Sequence, residues 1–103
     1  MGASRRYKDQ YWYSKFIKQT ARVVKSIRDL EGITQADLAK EILTSQSAIS
    51  DIEKGDTDIQ LTTLLRYAEA CGCDVEILIR RKKGANPQAQ WILTGEGVLT
   101  DDD

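Results

Sequence analysis

Two cysteines, Cys71 and Cys73, are the only thiols in the 103-residue sequence and its first candidates for nucleophilic or soft-metal chemistry. One residue apart, they cannot easily bridge each other, and two thiolates without further ligands do not make a zinc site. Histidine, the commonest general base and metal ligand, is absent. The pair reads as two small apolar core side chains, so the chain is expected to be no enzyme and to need no cofactor or metal. Charge and hydrogen bonding carry the remaining chemistry. The formal net charge is only −1, but it is unevenly spread. Residues 1–33 set eight basic side chains (Arg5, Arg6, Lys8, Lys15, Lys18, Arg22, Lys25 and Arg28) against three acidic ones. Such a basic third can find a polyanion even when the whole chain is acidic. The same side chains could equally be a solvated helix face.

The elements that would position these groups are mostly helical. At this length a single domain with one modest core is expected. Ile17, Ala21, Val24, Ile27 and Leu30 recur at helical spacing and predict a helix from about Ser14, capped by Gly32. Residues 1–10 are expected to be disordered or weakly helical. Thr34 is an N-cap with Asp37 three residues on, and Ala36, Leu38, Ala39 and Ile42 make a short second helix. After a turn at Leu43-Thr44, Ser45 caps a third helix with Ala48, Ile49 and Ile52 inward, ending at Gly55. A fourth runs from about Gln60 to Cys71, with Leu61, Leu64, Leu65, Ala68 and Cys71 on its apolar stripe. The period then changes to two. Val75, Ile77 and Ile79 alternate with Glu76, Leu78 and Arg80, which predicts a strand. One strand cannot satisfy its own backbone groups, so a second copy of the chain is the expected partner.

Two short helices joined by a tight turn between longer supports form a helix-turn-helix arrangement. Its second helix fits the major groove, where the N-terminal side chains reach base edges. Residues 33–55, with Thr34-Gln35, Leu38-Ala39, Ser45-Gln46-Ser47, Ile49-Ser50 and Ile52-Glu53-x-Gly55, resemble the lambda-repressor-like, XRE-type helix-turn-helix family. Arg28, Gly32, Leu64, Ala68 and Gly72 fit the same pattern, and the resemblance covers about residues 17–79. It implies an all-α helical bundle binding double-stranded DNA. Gln35 then contacts phosphate and braces the recognition helix, and Ser45 touches the DNA backbone. Gln46 and Ser47 read bases, Asp51 occupies a third reading position, and Ser50 and Lys54 lie near the backbone. Glutamine can pair bidentately with adenine, whereas aspartate can only accept, as from cytosine N4. Arg28 and Glu53 match an internal salt bridge.

Two departures stand out. Leu43 occupies a turn position where the family usually has glycine, and Asp56 and Asp58 replace basic residues that would bind phosphate. Arg5, Arg6, Lys8, Lys40 and Lys54 are the candidates to recover that affinity. The strand after the fourth helix, with Asn86-Pro87 and Trp91 beyond it, resembles the HipB-type antitoxins, in which strands of two subunits pair and the tail engages a toxin. Trp91 and Ile92 then become candidate anchors for a partner protein, or fold onto the chain's own core.

The sequence therefore predicts an N-terminal basic, aromatic arm (1–13), a DNA-binding domain (14–73), a dimerisation strand (74–83) and a tail (84–103). The expected function is sequence-specific repression by a homodimer on a palindromic operator, autoregulatory and with an antitoxin role toward a toxin. The alternative is a protein–protein adaptor with the same fold. No apolar run approaches the roughly 20 residues of a membrane helix, and no secretory signal is read at the N-terminus, so the expected location is cytoplasmic.

Overall fold

The computed structural model of the chain describes residues 2–95, and the side chains of residues 10–95. Tyr7 and the arm cations Arg5, Arg6 and Lys8 lie outside the described side chains, and the acidic tail 100–103 lies outside the described residues. The element order is α1 (Gly2–Glu31), α2 (Gln35–Glu41), α3 (Gln46–Lys54), α4 (Leu61–Ala70), β1 (Ile77–Arg80) and β2 (Gln90–Leu93). The chain divides into two compact units, residues 1–73 and 74–103.

The first unit is a four-helix bundle, as the sequence predicts. Its helix ends are set by local chemistry. Thr34 accepts a hydrogen bond from the Asp37 amide at 3.0 Å, and Ser45 accepts one from the Ala48 amide at 3.1 Å. Each satisfies an orphan N–H of a first turn. At the other end of α3, Gly55 adopts a φ of +81°, which strains any residue with a Cβ, although a Cβ there would only touch Lys18 and Ala21 of α1 at 3.4 and 3.5 Å. Val24, Leu38, Ile49 and Tyr67, one from each helix, are fully buried at the centre. Ala39, Ile42, Ile52 and Cys71 pack around them. Burying each aliphatic side chain contributes about 1.5–3 kcal/mol. An exposed ion pair such as Lys25–Asp29 contributes about 1 kcal/mol or less, so packing rather than charge holds the bundle.

Three expectations are corrected in these helices. The first helix starts at Gly2 instead of Ser14, so the expected arm boundary at residue 13 falls inside α1. Leu30 is not in the core but 87% exposed. At 100° per residue it lies on the side of α1 opposite Ala21, which the spacing rule overlooked. Leu61 and Leu65 are likewise exposed, and Leu64 alone of the three leucines packs on the core.

In the second unit a strand forms within the expected 74–83 segment, over Ile77–Arg80, but its partner lies in the same chain, not in a second copy. β1 and β2 form an antiparallel pair with Ile77 opposite Leu93, Leu78 opposite Ile92, Ile79 opposite Trp91 and Arg80 opposite Gln90. The loop between them is tied by the Arg81 guanidinium donating to the Pro87 carbonyl at 3.0 Å and by Gln88 donating to the Ala85 carbonyl at 2.7 Å. Leu78 and Ile92 share one face, Ile79 and Trp91 the other, and all four are about half exposed. A two-stranded hairpin is marginal by itself in water.

Candidate nucleic-acid interface

The recognition helix α3 divides cleanly into two sides. Ile49 and Ile52 are buried, one turn apart. Gln46, Ser47, Ser50, Asp51 and Lys54 fall within an arc of about 140° on the opposite side at 100° per residue. Gln46, Ser47, Asp51 and Lys54 are exposed there, and Ser50 is half-buried. Ser45 stands exposed at the tip, its oxygen accepting the capping bond from Ala48. Neutral hydrogen-bonding side chains thus cluster at the end where free N–H groups and the helix dipole favour anions. Farther along, the exposed carboxylate of Asp51 lies 3.9 Å from the Lys54 ammonium, which partly offsets its charge. Lys40 is exposed on α2, and Asp56 and Asp58 are exposed after α3.

Behind this face the helix is clamped through one carboxylate. Arg28 of α1 donates from Nε to Glu53 Oε2 at 2.7 Å and from Nη2 to Glu53 Oε1 at 2.9 Å. Its third donor, Nη1, reaches the Ile33 carbonyl at 2.8 Å. Gln35 of α2 donates to Glu53 Oε1 at 3.0 Å, and the Tyr67 hydroxyl of α4 donates to Glu53 Oε2. All four helices therefore meet at Glu53, whose side chain is 3% exposed. Burial disfavours the charged carboxylate, but the bonds from Arg28, Tyr67 and Gln35 outweigh it and lower the pKa to about 2. The bond to the carboxylate in turn raises the Arg28 pKa well above its ordinary range, and burial, followed by the bond to Glu53, raises that of Tyr67.

This geometry brings together six of the seven expected site residues, Gln46, Ser47, Ser50, Asp51 and Lys54 on α3 and Ser45 at its N-cap. The seventh, Gln35, is half-buried and braces α3 through Glu53. Sequence reasoning missed Tyr67. A tyrosine on an otherwise aliphatic and small-residue stripe needs a partner for its hydroxyl once buried, and that was the available signal. Cys71 is buried, and burial pushes its thiol pKa up, away from nucleophilic use. Among the described residues no group of acidic or cysteine side chains could hold a metal ion, and no helix is long and apolar enough to cross a membrane.

Residues 24–78 match the helix-turn-helix family. The chain is also 31% identical over 71 residues to the antitoxin HipB of Escherichia coli O6:H1 (strain CFT073), an alignment spanning 69% of this chain and 73% of that protein.

Proposed function

Because the chain belongs to the helix-turn-helix family, in its XRE type, we propose that it is a sequence-specific transcriptional repressor that binds a palindromic operator as a homodimer. The observation that carries this reading is the single exposed face of α3, held rigid from behind by the Glu53 clamp. In the major groove Gln46, Ser47 and Asp51 meet base edges. Ser45, Ser50, Lys54 and Gln35 meet the sugar–phosphate backbone, with Lys40 adding charge nearby. The half-exposed apolar side chains of the hairpin supply the dimer contact, since a second copy covering them would stabilise a unit that is marginal alone. The likeness to HipB supports an antitoxin that represses its own promoter and binds a toxin, with Trp91 as a candidate anchor. The chain acts by binding rather than catalysis, in the cytoplasm.

A second reading is favoured by Asp51, Asp56 and Asp58, three exposed carboxylates on or beside the reading helix. They suit a protein–protein adaptor better than a phosphate-rich groove. A salt-dependent mobility-shift titration on the DNA upstream of the protein's own gene separates the two. Tight, palindrome-dependent binding that weakens steeply with salt supports the repressor. A folded protein that discriminates no sequence there overturns it and favours the adaptor.

A further inference from the structure

α1 carries a second stripe, four of its six residues apolar, that no described element of its bundle covers. Trp12, Phe16, Gln19, Val23, Ser26 and Leu30 follow one another at alternating intervals of four and three residues, the spacing of a coiled-coil seam. All six are exposed, on the side of the helix away from Ala21 and Val24. Over this stretch α1 presents about 27 Å of continuous seam. A shallow groove of about 450 Å³, lined by Gln19, Arg22, Val23, Ser26 and Ile27, marks its middle. From this pattern we infer that α1 docks on α1 of a second copy, antiparallel, through a surface separate from the hairpin and from α3.

The flanking residues select that partner and direction. Lys15, Arg22 and Asp29 precede the seam positions Phe16, Val23 and Leu30, and Tyr13, Thr20 and Ile27 follow Trp12, Gln19 and Ser26. In an antiparallel pair Trp12 meets Leu30 of the second copy, Phe16 meets Ser26 and Gln19 meets Val23, so a bulky residue always faces a smaller one. Lys15 then lies beside Asp29 of the other chain at both ends, and Tyr13 beside Ile27. A parallel pair sets Lys15 against Thr20 and Arg22 against Ile27, which leaves every charge unpaired. Asp29 is engaged with Lys25 of its own helix at 2.9 Å, but that pair is half exposed and exchanges at little cost. The two Arg22 side chains approach near the twofold axis. Their repulsion opposes the two Lys15–Asp29 attractions, so removing the Arg22 charge tightens the association.

Sedimentation equilibrium of the full chain and of Leu30→Glu tests the surface, since Leu30 is too exposed for the substitution to disturb the fold. In chains that also carry Ile79→Asp to silence the hairpin, the expected result is a twofold drop in assembly mass in Leu30→Glu and tighter association in Arg22→Gln. A mass unchanged by Leu30→Glu overturns the proposal. Direction is read by oxidising a mixture of chains carrying Gln19→Cys with chains carrying Val23→Cys. Linked peptides joining position 19 to position 23 are expected to dominate. Links of 19 to 19 and 23 to 23 would overturn the antiparallel arrangement, and the absence of any link would overturn the seam.

Discussion

Arg28 and Glu53, 25 residues apart, meet side-on through two parallel hydrogen bonds of 2.7 and 2.9 Å, joining α1 to α3 where both side chains are almost fully buried. Such a fork fixes direction as well as distance, so it orients α3 about its own axis. Removing one partner leaves an uncompensated buried charge. Arg28→Met is therefore expected to destabilise the fold by about 3–5 kcal/mol in urea unfolding. The double variant Arg28→Met/Glu53→Gln should be more stable than Arg28→Met alone, because the stranded carboxylate has gone. Strictly additive losses would show that the two side chains do not act together.

The same carboxylate makes stability depend on pH. The Glu53 pKa is lowered from 4.5 to about 2 in the folded protein. Between those values the unfolded state holds more protons, so stability falls as the pH drops. The contribution is about 3 kcal/mol above pH ~5 and is lost progressively toward pH ~2. Unfolding midpoints of the wild type and Glu53→Gln, measured across this window, should converge as the pH falls. A constant gap between them would contradict the shift.

Gln46 stands exposed at the front of α3 and has no structural bond to lose. Gln46→Ala is expected to weaken binding to the operator by about 1–3 kcal/mol while changing non-specific binding little. Parallel titrations on operator and scrambled duplexes check this, and equal losses on both would remove Gln46 from base reading.

Leu43 sits in the turn between α2 and α3 with a φ of +60° and 89% exposure. A leucine held in the left-handed region gives up about 1–2 kcal/mol and here gains no burial in return. Leu43→Gly is expected to stabilise the protein by about 0.5–1 kcal/mol, the greater freedom of glycine in the unfolded chain offsetting part of the relief. Thermal unfolding gives the answer. A lower melting temperature would mean that the turn is not strained.

Ile79 faces Trp91 across the hairpin, and both remain half exposed. If a second copy covers them, Ile79→Asp should dissociate the hairpin-mediated dimer. The measurement belongs in a Leu30→Glu background, where the α1 seam is silent. An assembly mass unaffected by Ile79→Asp in that background would remove the hairpin from dimerisation.

What the sequence makes legible is what neighbouring residues decide. Thr34, Ser45 and Gly55 mark helix ends because capping needs a particular side chain, or none, within a few residues. The front of α3 is legible for the same reason, since its residues are consecutive. β2 is not, because Gln90-Trp91-Ile92-Leu93 lacks alternation and becomes a strand only by pairing with residues some 10–16 positions away. Leu30 misleads because it sits three residues after Ile27, a helical interval, yet the accumulated rotation from Ala21 carries it to the far side. Tyr67 follows Leu64 at a helical interval, but its hydroxyl's partner on α3 is a tertiary fact that spacing does not contain.

The two sides of α3 divide their duties by residue. Ile49, Ile52 and Glu53 are committed to the bundle, while Gln46, Ser47 and Asp51 make no contact on which folding depends. Substitutions at those three positions can therefore retarget the protein to a different sequence without a new hydrophobic core or a rearranged clamp. Such a scaffold can diverge into paralogues that ignore one another's targets after very few changes.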